Sequence, residues 1–352
     1  KGVAVEQFNR APLHKRAYAE LPLGSIKAEG WLYEMLDRQR KGMTGRLDEL
    51  YPQVMGKRNG WLGGDGDVWE RGPYWIDGLL PLAYILDDES LKAKVQPWIE
   101  WTLASQDAEG YFGPVKDLPR EEGLQRDKAR DWWPKMVMLK VLQQYYSATK
   151  DERVIDCMTR YFRYQLKQLP NKPLGHWTFW GRERGGDNLA MVYWLYNITG
   201  DEFLLELGDL IYSQTVDWAS IFGLRTDDLY RSLSRHTVNV AHGFKTPAIY
   251  YQRSGERSLI EDLHRGEKDV HYKENADGTY ELIYKGDWRD PEEWNTNEVS
   301  NGVLYTMYDT GIRGGNTYFF CKQVGVRDNL WPYMVERWET ENLFLTEEEN
   351  WD

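Results

Sequence analysis

Apolar residues fall into two alternating kinds of segment. One kind is apolar on nearly every side, as in Leu189-Ala190-Met191-Val192-Tyr193-Trp194-Leu195-Tyr196, the pattern of a helix buried on both faces. The other is one-sided. Between 154 and 166, Val154, Ile155, Met158, Tyr161, Phe162 and Leu166 recur at helical spacing, which gives a helix with one face in the core and one in water. Four similar turns join the first kind to the second: Leu86-Asp87-Asp88-Glu89-Ser90-Leu91, Thr149-Lys150-Asp151-Glu152-Arg153-Val154, Thr199-Gly200-Asp201-Glu202-Phe203-Leu204 and Ser254-Gly255-Glu256-Arg257-Ser258-Leu259. In each, an acid after the turn residue supplies an N-cap or first-turn carboxylate for the next helix.

The repeating unit is therefore a helical hairpin of roughly 50 to 60 residues, its inner helix buried and its outer helix half exposed. Such units predict an all-α fold, an (α/α) barrel or toroid. A further helix over 26–40, opened by Leu23-Gly24-Ser25, precedes the first hairpin. After about residue 270 the repeat fades: Asp277-Gly278-Thr279-Tyr280-Glu281-Leu282-Ile283-Tyr284 reads as a turn and short strand, and 302–308 and 317–323 are short apolar stretches. The expected division is a catalytic-type barrel over 1–270 and a second part over 271–352 that either completes the barrel or opens a β appendage.

Charge narrows the partners. Against 44 Lys+Arg stand 56 Asp+Glu, a net charge of -12, and no basic stripe offers phosphate a footing, which excludes a nucleic-acid binder. No apolar run is long enough to enter a membrane, and the start at Lys1 fits an exported protein whose signal has been removed as well as a cytoplasmic one. The two cysteines, Cys157 and Cys321, form no C-x-x-C pair, so neither a disulfide framework nor a zinc knuckle is expected. The aromatic content is high, with 17 Trp, 23 Tyr and 10 Phe making 14% of the chain. Most such rings fill space between helices, but the excess favours a cleft where flat faces stack on sugar C–H faces.

The candidate chemistry lies in the long loops between hairpins. The first, Gly60-Trp61-Leu62-Gly63-Gly64-Asp65-Gly66-Asp67-Val68-Trp69-Glu70-Arg71-Gly72-Pro73-Tyr74-Trp75-Ile76-Asp77-Gly78, offers Glu70 and Asp77 as carboxylates and Trp69 and Tyr74 as rings. The plain alternative for Glu70 is an N-cap paired with Arg71. Asp65-Gly66-Asp67 has the start of a calcium loop without its remaining ligands. In Asp131-Trp132-Trp133-Pro134-Lys135, Asp131 and Trp132 are candidate sugar contacts beside a helix-starting proline. In Trp180-Gly181-Arg182-Glu183-Arg184-Gly185-Gly186-Asp187-Asn188, Glu183 is a candidate base and Trp180, Arg184 and Asn188 are candidate sugar contacts, or else Glu183 bridges Arg182 and Arg184. In Arg235-His236-Thr237-Val238-Asn239-Val240-Ala241-His242-Gly243, His242 is a candidate proton carrier and His236 and Asn239 candidate sugar contacts.

These loops, with Leu21-Pro22-Leu23-Gly24-Ser25-Ile26-Lys27, Trp61-Leu62-Gly63-Gly64 and Trp69-Glu70-Arg71-Gly72-Pro73-Tyr74-Trp75, resemble the β-L-arabinofuranosidase-type proteins of glycoside hydrolase family 127 over about residues 20–265. The resemblance implies an (α/α)6 barrel followed by β domains, acting on a terminal sugar of a plant-type glycan. It places Glu183, Arg184, His242 and Asp77 around the sugar. It also implies a cysteine nucleophile held with further cysteines and a glutamate around zinc, and a second glutamate as general acid. That ligand motif has no counterpart here, since Cys321 stands alone in Tyr318-Phe319-Phe320-Cys321-Lys322, and Leu139 occupies a position where better-known members carry histidine. The expectation is an exo-acting glycoside hydrolase whose partner is an oligosaccharide or polysaccharide, with room for a homo-oligomer and no metal ligand assigned. The alternatives are a polysaccharide lyase on the same toroid, using His236 or His242 with a uronate held by Arg182 or Arg184, and a glycan binder without catalysis.

Overall fold

The computed structural model describes residues 9–16, 18–119, 128–223, 237–263, 272–274 and 280–282. Its contacts divide the chain into two compact units, 1–216 with 252–255, and 217–251 with 256–352.

The first unit is helical. Three inner helices, α4 (Arg71–Leu86), α6 (Trp132–Thr149) and α9 (Gly185–Thr199), alternate with three outer ones, α5 (Glu89–Ala104), α7 (Arg153–Gln168) and α10 (Phe203–Gln214). Inner packs on inner (α4 on α6, α6 on α9) and outer on outer (α5 on α7, α7 on α10), while each hairpin pairs its own two helices. The arrangement is the double layer expected of successive hairpins. The amphipathicity explains it: α6 buries residues around its circumference, including Trp132, Trp133, Met136, Leu139 and Leu142, whereas α7 buries one face, with Val154, Met158, Tyr161 and Phe162 inward.

The turns repeat in geometry as they do in sequence. Asp87, Lys150, Gly200 and Gly255 occupy corresponding positions and all adopt the left-handed conformation, with φ of 56°, 59°, 76° and 69°. This ends a helix by turning the chain back after its last carbonyls. The following residue then begins the outer helix: Asp88 accepts from the backbone N–H groups of Ser90 and Leu91, and Asp151 from that of Arg153 at 3.0 Å.

The chain before the first hairpin departs from expectation. The helix predicted over 26–40 begins later, as α1 (Gly30–Lys41), because Gly24 and Gly30 turn the backbone through φ of 84° and 58°. Then follow α2 (Met43–Leu50), α3 (Pro52–Met55) and a 3-10 turn at Gly60–Leu62. α1 buries none of its residues.

Within the second unit, α11 (Trp218–Gly223) and α12 (Thr237–Ser254, whose last three residues belong to the first unit) precede a short helix over 257–263. Gly243 lets α12 approach the Trp218 ring, where any side chain would clash. Tyr272–Glu274 (β1) and Tyr280–Leu282 (β2) pair antiparallel, with Lys273 opposite Glu281. The strand read at 280–282 thus has a partner at 272–274 that the sequence pattern did not mark. The stretches at 302–308 and 317–323 lie outside the described residues, and no helix among the described ones is long and apolar enough to cross a membrane.

Close packing of the third hairpin gives a test. A Cβ on Gly208 of α10 would lie 2.6 Å from Cε1 of the buried Tyr193 on α9. Gly208→Val adds volume where the ring has no room to move, and is expected to destabilise by about 1–3 kcal/mol. A thermal melt checks this, and an unchanged midpoint would show the interface to be looser than described.

Candidate functional site

The N-terminal ends of the three inner helices meet. Glu70 is the N-cap residue of α4, Asp131 of α6 and Arg184 of α9. Asp131 accepts the backbone N–H of Trp133 at 2.9 Å, fixing the first turn of α6. From that turn the Trp133 indole N–H reaches across to donate to Glu70 Oε2.

Arg184 completes the group. Its guanidinium lies against two indoles, 4.4 Å from the Trp133 ring centroid and 4.7 Å from that of Trp180. Its Nη1 is 3.5 Å from Glu70 Oε2 and donates to the Tyr74 hydroxyl at 3.3 Å. Arg184 is only 4% exposed. Burying a guanidinium costs several kcal/mol unless it is compensated; the Glu70 carboxylate and two cation–π faces, each worth about 0.5–2 kcal/mol, supply that compensation.

Trp133 and Arg184 both approach Oε2 of Glu70, so among the described residues Oε1 has no protein donor, and the side chain is 29% exposed. Tyr74 is 38% exposed, its ring tilted on Trp133 at 5.9 Å. Burial of the phenol raises it above its ordinary range; Arg184 opposes this, while Glu70, Asp187 and Asp77 reinforce it. Tyr74 therefore offers a hydroxyl, not a phenolate. Asp77, two turns along α4, accepts from Gln144 of α6 at 3.0 Å. Glu183 ends the short α8 (Trp180–Glu183) and is buried, with Arg182 Nη2 at 3.7 Å.

The sequence candidates therefore separate. Glu70, Tyr74, Trp180 and Arg184 are in one cluster, with Glu183 next to Arg184 in the chain and Asp77 close enough to influence Tyr74. Trp69 and Trp132 are buried in packing: the Trp69 carbonyl accepts the Trp61 indole N–H at 3.0 Å, and Trp132 donates to the Lys172 carbonyl at 3.0 Å while meeting Trp177 edge-on. Asn188 is wholly buried and donates to Gln165 of α7 at 2.9 Å. His242, half-buried, and Asn239, buried, are on α12 in the second unit; His236 lies outside the described residues.

Local pairings read from sequence are corrected. Arg71 donates to Asp67 at 2.6 Å and not to Glu70. Arg184 forms an ion pair with Glu70, while Glu183 has Arg182 Nη2 at 3.7 Å. Asp65 pairs with Arg58 at 2.8 Å, and Asp67 also accepts the Trp69 backbone N–H at 2.9 Å, so both carboxylates of the calcium-like loop hold the loop itself. Two residues had not been singled out as contacts. Trp133 had a signal, its place two residues after a capping acid; Phe179, 39% exposed beside Trp180, had none.

Beneath the cluster, burial pushes the Asp131 carboxyl up to about 6, against the pull of the Trp133 N–H, the Thr178 hydroxyl and Lys135. Burial likewise pushes the Lys135 amine down to about 7, opposed by Asp131. The Lys135 ammonium faces the Trp61 and Tyr111 rings at 5.5 and 5.3 Å and donates to the Ala129 carbonyl.

The chain matches the family described as "Beta-L-arabinofuranosidase, GH127 catalytic domain" over residues 4–272. It belongs to that family. No curated protein and no solved structure matches it. GH127 membership makes the chain a glycoside hydrolase at family level, with a glycan as its substrate class. The zinc that the resemblance implies finds no fit among the described residues, where no three His, Cys, Asp or Glu side chains converge. Cys157 is buried in α7, where burial pushes its thiol up to about 12, the opposite of a reactive thiolate. Cys321 lies outside the described residues.

Asp131 supplies a test. With a folded value of about 6 above an ordinary 3.8, the folded state binds the proton more tightly, so this group's stabilisation is present at low pH and is lost as pH rises through that interval. Asn caps a helix as well as Asp without carrying a buried charge. Asp131→Asn should match the parent protein near pH 4 and melt at a higher temperature above pH 6; parallel melting curves across this range would contradict the assignment.

Proposed function

We propose that this GH127 protein is an exo-acting hydrolase that removes a terminal sugar from a plant-type or related glycan, in the manner of a β-L-arabinofuranosidase, with Glu70 as its principal reacting carboxylate. The supporting observation is the state of that side chain: one oxygen is held by Trp133 and Arg184, the other has no protein donor among the described residues, and the group is partly open to solvent. A carboxylate so oriented can meet an anomeric centre or the water that attacks it.

Cleavage needs a second group to protonate the leaving oxygen. Asp77 and Glu183 are the carboxyl groups for that role, Tyr74 and Trp180 bind the ring, and Arg184 fixes Glu70 and Tyr74 together. If the partner carboxyl stands about 5 Å from Glu70 the reaction proceeds with retention through a glycosyl-enzyme, and at roughly 6.5–9.5 Å with inversion by water. No step here passes through zinc.

The lyase alternative needs an arginine for a uronate. Arg184 is committed to Glu70, and the Tyr74 hydroxyl it holds is also influenced by Asp77 and Asp187, an acidic setting that disfavours a substrate carboxylate there, so the lyase reading would rest on Arg182, which is half exposed with Glu183 3.7 Å away.

The experiment is a panel of terminal furanosides and pyranosides assayed for released monosaccharide. Glu70→Gln is expected to lower kcat/KM by about 10²-fold or more with the far-UV circular dichroism unchanged. Full turnover by this variant would remove Glu70 from the mechanism, and joint sensitivity to a chelator and a thiol reagent would move the chemistry to residues beyond 265. An unsaturated uronate product would favour the lyase, and binding without any product a glycan receptor.

A further inference from the structure

Among the described residues, ten of the thirteen exposed large apolar side chains fall between Tyr18 and Tyr51, so the open apolar surface is gathered on the chain before the first hairpin. Its centre is α1. Trp31, Glu34, Met35 and Arg38 recur at i, i+3, i+4 and i+7, which puts them on one face of that helix, and all four are exposed. Beside them Leu32 and Met35 line a groove of about 410 Å³ together with Leu21, Leu23 and Ile26 of the preceding segment and Ile85 of α4. That segment is pinned to other helices: the Leu23 N–H donates to Ser147 Oγ of α6 at 3.0 Å, and Lys27 Nζ to the Tyr84 carbonyl of α4 at 3.1 Å. It is therefore not free to fold down over α1, and the apolar lining stays in water.

Area and charge indicate what covers this face. Leu21, Ile26, Trp31, Leu32 and Met35 are 46–68% exposed and present on the order of 500 Å² of apolar surface, the apolar share of the roughly 800 Å² that each partner buries in a stable dimer. The charges on the face complement themselves. The side chains of Glu34 and Arg38 form no hydrogen bond or ion pair among the described residues, whereas Asp37 is already taken by Arg40 and Lys41. Two copies of α1 crossing antiparallel about a two-fold axis exchange the ends of the face. Each Arg38 guanidinium then meets the Glu34 carboxylate and the Trp31 indole of the other copy, an ion pair and a cation–π contact made twice.

We infer that this face of α1, with its groove, is the interface of a homodimer, Trp31 serving as its anchor and the two Glu34–Arg38 pairs setting the antiparallel register. The interface uses none of the residues assigned to the hydrolase, and stands or falls separately from that reading.

The test is sedimentation velocity of the full chain from sub-micromolar to high-micromolar concentration, with the variants Trp31→Glu, Arg38→Glu and Glu34→Arg combined with Arg38→Glu. The parent is expected to sediment at twice the chain mass at the upper end of this range. Trp31→Glu raises the dissociation constant by at least about 30-fold, the size of a lost central aromatic anchor. Arg38→Glu sets like charges against each other across the axis and weakens association about tenfold. The double variant restores opposite charges with their signs exchanged and returns association to within about threefold of the parent. Because α1 buries none of its residues, circular dichroism of every variant should match the parent. A parent that stays monomeric at all concentrations, whether the face remains open or another part of the chain covers it, overturns the inference. So does a dimer indifferent to Trp31→Glu, or a double variant that associates no better than Arg38→Glu alone.

Discussion

A single buried guanidinium organises one end of this protein. Arg184 stands where three inner helices begin, and its charge is compensated there by Glu70 and by the indoles of Trp133 and Trp180. Each partner comes from a different part of the chain, so the interaction fixes the mutual positions of α4, α6 and the start of α9 as well as orienting one carboxylate. Removing the Glu70 charge would leave the buried Arg184 guanidinium without this partner, a loss of up to about 3–5 kcal/mol. The site and the packing of the helices that carry it are therefore one problem solved by one set of contacts.

The hairpins were legible in the sequence because local signals agree. Apolar period, capping acids and a turn residue suited to left-handed backbone all coincide at 87–91, 150–154 and 200–204, and the helices begin and end there. The first helix was less legible: its apolar pattern runs back to Ile26, but Gly30 holds a positive φ that interrupts the helix before Trp31. A backbone conformation of this kind leaves no mark on hydrophobic period.

The site was half legible. Motif density drew attention to the loops, yet could not decide which of two adjacent buried indoles faces Glu70. Trp132 and Trp133 differ by about 100° around the helix axis, and only the position of α4 settles that Trp133 meets Glu70 while Trp132 meets Lys172 and Trp177. Ion pairs were assigned by sequence proximity, Glu70 to Arg71 and Glu183 to both neighbouring arginines, whereas the fold pairs Glu70 with Arg184 across more than a hundred residues. Non-local charge pairing depends on tertiary geometry, which a sequence pattern of neighbouring residues does not encode.

The left-handed turn residues and the acid–arginine cluster occupy opposite ends of the same helices. α4 has 16 residues between Glu70 and Asp87, so these ends are about 24 Å apart. One end carries short, uniform reversals; the other carries long, individual loops that differ from hairpin to hairpin. Such a division lets the loops at one end differ in length and residue type while the reversals at the other keep a common geometry, so that variation at one end leaves the helical frame unaltered.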